Sequence, residues 1–409
     1  MAARQQVEIA VIGAGVIGLA IARRLQAAGR DVVLIDPDTP GAGASYGNAG
    51  TIADYAVMPV GTPDVLRNLP SLLFDRNSPL AIRHAALPSL APWLARFARQ
   101  CLPGAARRNS QALAALLADA CPSWQELAAQ VGASDILQQR GCLYLYQTKA
   151  AFRAADADMA YRRDFGIKVE LISPDDLARL EPGLPPVEGG AAFFPGAVFL
   201  DDPGQMMGLL AAGIPYIRAR VDWLGRRDGG VFLAGDGLQL QAHRVITAAG
   251  ARSKTLAQMA GDRVPLDTER GYHLEWDMMD PRLNRPACPT ARGFYLCPMK
   301  GRLRVAGTVE LGGLEAPPSR HRLDRLLDGA RAVFPDLGPP DREWMGFRPS
   351  MPDSLPVIGC SGGGREIIHA FGHGHIGLTL APITARIVAD LVAGAEPKVD
   401  VRPYAAGRF

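Results

Sequence analysis

Hydrophobic positions along the chain change period repeatedly, and the changes delimit the elements. Residues 7–12 (VEIAVI) are a short β-rich apolar run, the pattern of a buried parallel strand. Residues 19–28 read as a helix stopped by Gly29, and 31–35 (DVVLI) as a second strand ending on Asp36. From 51 to 166 the pattern is mostly helical, with helices expected over 66–74, 87–102 and 111–131 and Pro59, Pro63, Pro70, Pro79 and Pro103 as punctuation. A helix start is expected at 173–177, another helix through 210, and a meander of short strands over 216–241. The run 243–251 (HRVITAAGA) repeats the strand-to-glycine pattern, followed by a helix over 254–260. Strand patterns return at 271–276, 294–297 and 303–309, then a helix near 323–333, a strand at 367–371 and a closing helix over 380–392.

The junction between the first strand and first helix carries the chemistry. Gly13-Ala14-Gly15-Val16-Ile17-Gly18 sits between strand and helix, and Asp36 follows eighteen residues after Gly18. Gly13 permits the tight turn, Gly15 lets a pyrophosphate approach the backbone, and Gly18 lets helix and strand pack closely. The helix N-terminus offers unpaired N–H groups and the positive end of its dipole. Asp36 can accept from ribose hydroxyls and disfavours a 2′-phosphate. This arrangement predicts dinucleotide binding. The Gly/Ala/Ser-rich segment 41–51 suits backbone running beside a cofactor longer than a nicotinamide dinucleotide, such as the ribitol and flavin of FAD.

Composition narrows the class. The chain has 409 residues, 48% hydrophobic and 21% charged, with net charge +3. That fits two or three globular domains at ~100–200 residues each and does not suggest a nucleic-acid partner. Every apolar run is expected to fall short of the ~18 residues of a membrane span. The early first strand predicts no signal peptide, and hence a cytoplasmic protein. Six scattered cysteines without a CxxC pair argue against zinc ribbons, iron–sulfur ligation or a disulfide framework. His373 and His375 have HxH spacing, but without a third nearby ligand no metal site is predicted. Arg96, Arg99, Arg107 and Arg108 are expected to form a solvated face.

GAGVIG at 13–18, SYGNAG at 45–50, ERGYHLE at 269–275, GFRPSMPDSLPVIG at 346–359 and GHGHIGLTLAP at 372–382 resemble, in order, the FAD-dependent D-amino-acid oxidase and dehydrogenase superfamily. The similarity is greatest to its bacterial D-amino-acid dehydrogenase-like branch, which includes D-hydroxyproline and opine dehydrogenating enzymes. It implies an α/β and α+β fold: a doubly wound, Rossmann-like FAD domain, and a substrate domain with an antiparallel sheet and helices. The expected boundaries are 1–52, 169–268 and 341–409 for the FAD domain, and 53–168 and 269–340 for the substrate domain.

The resemblance further implies that FAD is held by Gly13, Gly15, Val16, Ile17, Gly18, Asp36, Pro37, Ala44, Ser45, Asn48, Ala49, Gly50, Ile52, Val221, Ala249, Gly250 and the loop Gly374, His375, Ile376, Gly377, Leu378, Thr379. Some relatives attach flavin through a cysteine; Gly346 stands at that place here, so non-covalent FAD is expected. Arg348 matches the position that clamps the substrate carboxylate, and a guanidinium fork suits that task. Tyr295 matches a second polar contact, and Glu310 a strand-end carboxylate facing the substrate nitrogen. His375 precedes a helix whose N-terminal amides meet the flavin pyrimidine end; Tyr272 and His273 are expected to be structural or near the site. The implied reaction oxidises a D-amino or cyclic imino acid to the imine. Oxygen, a quinone or an electron carrier would reoxidise the flavin, with partner subunits or a peripheral contact at the inner membrane compatible with a quinone acceptor. Competing readings are a glycine- or sarcosine-oxidase-like enzyme, the FAD subunit of a heteromeric dehydrogenase, an NAD-linked Rossmann enzyme and a non-catalytic flavin-binding subunit.

Overall fold

The computed structural model describes residues 5–68, 78 and 80–409. One sheet has Tyr216–Arg218, Val32–Asp36, Gln5–Ile12 and Leu238–Thr247 running parallel, with Gly364–Phe371 added parallel to the end of Leu238–Thr247. Alternation along the central strands sorts their side chains to two faces. Ile9, Val11 and Leu34 pack against the helices Val16–Ala27 and Gly377–Ala393, whereas Ala10, Ile12, Val33 and Ile35 pack with Leu256 and Ala260 on the other side. Trp223–Arg227 and Gly230–Gly235 extend this sheet antiparallel, as the expected meander.

The second sheet is mostly antiparallel. Its order is Arg342–Ser350, Asp267–Asp277, Arg302–Leu311, Phe294–Met299, Ala287–Pro289, Cys142–Tyr146, Gly190–Phe194 and Glu170–Ile172. The helix Arg320–Arg331 covers one face, burying Leu323, Leu326 and Ala330 against Tyr272, Leu274 and Phe294. The opposite face looks towards the first sheet's glycine-rich turns.

Strand pairing moves two expected boundaries. Glu170–Ile172 and Gly190–Phe194 are hydrogen-bonded into the second sheet, so these strands belong with it and not, as the expected boundary at 169 has it, with the first. Arg342–Ser350 is likewise an edge strand of the second sheet, which the expected boundary at 341 places with the first. The nominally helical stretch 51–166 also donates the strand Cys142–Tyr146. The helix expected over 66–74 falls mainly outside the described residues; the observed one is Pro63–Arg67. All six cysteines are free thiols, and the four arginines at 96, 99, 107 and 108 are solvent-exposed.

One apolar run does reach membrane length. Gly374–Ala393 is 20 residues long and apolar enough to cross a bilayer by length and composition, and 67% of its most apolar stretch is buried within the fold. Among the described residues it packs between Val16–Ala27 and Ala120–Gln130 as a core helix.

Candidate active site

Parallel register brings the dinucleotide elements to one edge. Ile12 pairs with Ile35 and Thr247, Thr247 with His369, and Asp36 with Arg218, so these strands end together at their carboxyl ends, where ligands of such sheets bind. Gly13, Asp36, Val221, Ala249 and Gly250 follow those ends. Gly13 has φ +110°, and a Cβ there would lie 2.3 Å from the Ala248 carbonyl oxygen. A Cβ on Gly18 would sit 1.9 Å from the Gly13 oxygen. Gly15 differs: its Cβ would meet only the Ser45 Oγ, at 3.3 Å, so this backbone is approachable from outside. Gly15 caps the Val16–Ala27 helix without a side-chain hydrogen bond, and the Val16 amide donates to Ser45 Oγ at 2.8 Å. Asp36 accepts from the Ala14 amide at 2.7 Å and the Asp38 amide at 2.9 Å, and desolvation raises its pKa. Such a half-buried carboxylate, held by backbone amides, suits ribose hydroxyls.

The Gly/Ala/Ser loop is held from the second sheet. Buried Glu275 receives Arg304 at 2.7 Å, Arg302 at 3.0 Å and Arg342 at 2.8 Å, which together hold its pKa down at about 2 against the opposing effect of burial. Arg304 in turn donates to the carbonyls of Tyr46 at 2.8 Å and Asn48 at 2.7 Å. Asn48 Oδ1 accepts from the Gly50 amide, and Thr379 Oγ1 accepts from the Ala53 amide at 2.9 Å. The Ser45–Gly50 loop, Ile52 and the loop from Gly374 to Thr379 are thereby assembled across the fold. The helix Gly377–Ala393 starts without a side-chain cap and presents its N-terminus there. These features fit FAD: an approachable turn over a helix N-terminus, a ribose acceptor and a backbone-lined path towards a second N-terminus.

Arg348 lies on the face of the second sheet that looks to this edge. Antiparallel pairing sets it opposite Glu269, and Gly346 opposite Gly271. Gly271 leaves room for the guanidinium, since a Cβ there would be 2.5 Å from Arg348 Cζ. Arg348 Nη1 donates to the Thr308 carbonyl at 3.2 Å. Thr308 has φ +55°, the left-handed region that is strained for a branched residue. Burial pulls the Arg348 pKa down, and the Glu269 carboxylate partly restores it. His375 opens to the cleft beside Arg348; crowding by surrounding protein, then the guanidinium charge, lowers its pKa to about 4 and keeps it neutral at pH 7.

His373 diverges into the core, its Nε2 3.0 Å from Thr384 Oγ1, and burial lowers its pKa to about 3. Among the described residues, no group of three or more His, Cys, Asp or Glu is placed to hold a metal.

The structure corrects the placement of Glu310. Simple alternation from Ala306 would put Thr308 and Glu310 on the cleft face. A β-bulge intervenes: Tyr272 pairs with Gly307, but Arg270 pairs with Glu310, so one residue is inserted. The inserted residue flips Glu310 to the opposite face, where its carboxylate meets Arg270 at 3.1 Å, Tyr272 Oη at 2.7 Å and Arg83 at 3.1 Å. Glu310 therefore braces the sheet away from Arg348.

Tyr295 does share the cleft face, in line with Ala306 and His273. It lies three strands from Arg348, about 14 Å across the sheet. Its hydroxyl donates to Tyr144 Oη at 3.2 Å and lies 3.5 Å from Tyr55 Oη. Burial pushes the phenols of Tyr55, Tyr144 and Tyr295 up, so all three are neutral hydrogen-bonding groups. His273 stacks on Trp344 at 4.9 Å and its Nδ1 lies 3.1 Å from the Gly47 carbonyl, while Tyr272 points to the other face. Glu269, Glu275, Arg304, Tyr55 and Tyr144 were not singled out from sequence. Only period-two alternation along 269–275 signals Glu269, and only once the register of that strand against the one carrying Arg348 is known.

Comparison with known proteins agrees with this geometry. Residues 8–391 match the DAO family, FAD dependent oxidoreductase. A D-amino-acid oxidase of Bradyrhizobium diazoefficiens is 35% identical over 427 residues, covering 98% of both chains. D-amino acid dehydrogenase 2 of Ralstonia nicotianae is 31% identical, covering 98% of this chain and all of that one. A glycine oxidase structure from Geobacillus kaustophilus superposes with TM-score 0.76 at 24% identity over 99% of each chain, a likeness of fold. With the glycine turns, the ribose carboxylate and nearly its whole length in agreement, the chain belongs to the DAO family of FAD-dependent oxidoreductases.

Proposed function

We propose that this enzyme oxidises the CH–NH bond of a D-amino acid, including cyclic imino acids such as D-proline and D-hydroxyproline, to the imine. The observation that carries the reading is Arg348, set over Gly271 and tethered to the Thr308 carbonyl on the face that meets the cofactor edge. A desolvated guanidinium is a fixed anchor for a carboxylate and holds the substrate Cα in one place. FAD, bound non-covalently, supplies the hydride acceptor at N5. His375 is uncharged at neutral pH and so adds no second cation beside the anchor. The helix N-terminus at Gly377 favours negative charge at its end of the cofactor site.

The names of the relatives, D-amino-acid oxidase and D-amino acid dehydrogenase, support the D-series and leave the acceptor to be assigned by reoxidation. Six free thiols suit a reducing compartment, in keeping with the cytoplasm. The test is anaerobic mixing of the holoprotein with D- and L-alanine, proline and 4-hydroxyproline, reading loss of oxidised-flavin absorbance, then adding air or a quinone. Bleaching by D-forms is expected. Fast recovery in air with peroxide marks an oxidase, and recovery only with quinone or dye marks a dehydrogenase. Bleaching by none of these amino acids overturns the proposal.

A further inference from the structure

Glu269 is a carboxylate in an unusual place. It stands directly opposite Arg348 in the antiparallel pair and shares the cleft face with it. Its side chain is 6% exposed and lines the cleft with His375, Ser350 and Met351. No ion pair closes it onto Arg348 among the described residues; the Ser350 hydroxyl is its hydrogen-bonding neighbour. The other buried carboxylates of this sheet are treated differently: Glu275 is gripped by three arginines, and Glu310 by Arg270 and Arg83. A buried carboxylate left without such a partner is costly unless a cation arrives to meet it. Burial duly pushes its pKa up, with Arg348 acting against that.

We propose that Glu269 receives the ammonium group of the substrate, so that Arg348 and Glu269 together select zwitterionic amino acids over carboxylates lacking a charged nitrogen. The pair presents a cation and an anion on neighbouring strands, with facing Cα atoms roughly 5 Å apart. An α-amino acid carries the complementary charges on adjacent carbons, so one molecule can satisfy both groups. The same pair discriminates against a 2-oxo acid: after the imine is hydrolysed, the product keeps its carboxylate but has lost the nitrogen, and Glu269 then repels it. The place facing the substrate nitrogen that was expected of Glu310 thus falls to Glu269, which alternation along its own strand puts on the cleft face. This inference rests on the amino-acid reading above, but it can fail separately.

The experiment uses the FAD-loaded protein and a matched pair of ligands, D-alanine and propanoate, which differ only in the ammonium group. Apparent dissociation constants come from the D-alanine dependence of anaerobic flavin reduction and from the perturbation of the flavin spectrum by propanoate. In Glu269→Gln, D-alanine binding is expected to weaken by about tenfold to a hundredfold, the range for a hydrogen bond to a charged group, while propanoate binding strengthens. Glu269→Asp keeps the sign of the charge, so propanoate should stay weak; if it tightens there as in the glutamine variant, the charge is not what discriminates. A shift of both ligands in the same direction, or of neither, overturns the inference. If wild-type flavin is reduced by no amino acid, the broader reading fails first. Reduction of wild type with unaltered ligand preference in Glu269→Gln sinks only the role of Glu269.

Discussion

Gly271→Ala tests the Arg348 anchor without touching its charge. The added methyl would lie 2.5 Å from Cζ and from one terminal nitrogen, and 2.9 Å from the other. Carbon–carbon contact needs about 3.5 Å, so the guanidinium must retreat by about 1 Å. The obstacle is the tip of a flexible side chain, so the backbone need not move. The tether to the Thr308 carbonyl is lost at a cost of ~1 kcal/mol. Replacing glycine returns about 0.4–1 kcal/mol by restricting the unfolded chain. Thermal stability should therefore change little. Catalysis should not be spared, because a displacement of about 1 Å costs roughly a hundredfold in a positioned reaction. Stopped-flow reduction by D-alanine gives kcat/KM for flavin reduction, and calorimetry gives Tm. The reasoning is refuted if Gly271→Ala reduces its flavin within about twofold of wild type while Tm is unchanged.

Three further perturbations separate the parts of the account. Gly18→Ala should fail to fold, its Cβ falling 1.9 Å from a backbone oxygen, whereas Gly15→Ala should fold and lose FAD affinity; equal soluble yields would count against this contrast. Glu275→Gln leaves the fully buried Arg304 without its carboxylate, while Arg342 keeps Asp277 and Arg302 keeps Asp202, and should lower stability by about 3–5 kcal/mol. It should also weaken FAD binding through Arg304 and the loop carbonyls, and unaltered FAD retention would show that the loop needs no such strut. His273 and His373 are buried with pKa values near 4 and 3, below the ordinary 6.5. Between pH 6.5 and 4 the unfolded chain takes up protons that the native imidazoles refuse, so stability falls as pH falls, by ~1.4 kcal/mol per unit per imidazole. Denaturant titrations of His373→Gln should show a slope shallower by about one proton, and a slope equal to wild type would contradict its neutral burial.

The cofactor half of the fold was legible because its constraints are local. A strand, glycines and a helix each have a backbone reason, and the structure gives Gly13 and Gly18 the close contacts those reasons require, with Asp36 held at the strand end by the Ala14 amide. Arg348 was legible through resemblance, and the sheet places it on the cleft face. Glu310 was not, because alternation counts residues and a bulge at Thr308 adds one that no pattern in the strand announces. Glu269 stayed hidden for a related reason: its position opposite Arg348 is a property of register between strands some eighty residues apart. The boundaries near 169 and 341 failed likewise, since pairing partners assign those strands to a sheet and their own composition does not.

The central claim is that a carboxylate-anchored D-amino acid gives its hydride to FAD on this sheet face, with Arg348 as the anchor. Its most direct test is single-turnover, anaerobic flavin reduction by paired D- and L-enantiomers in wild type and Arg348→Met. The account predicts reduction by the D-form in wild type and a loss of about a hundredfold to a thousandfold in the variant, the equivalent of 3–4 kcal/mol for a charge-assisted bidentate contact, with FAD still bound. Equal rates in the two proteins, or reduction by the L-form alone, would contradict it.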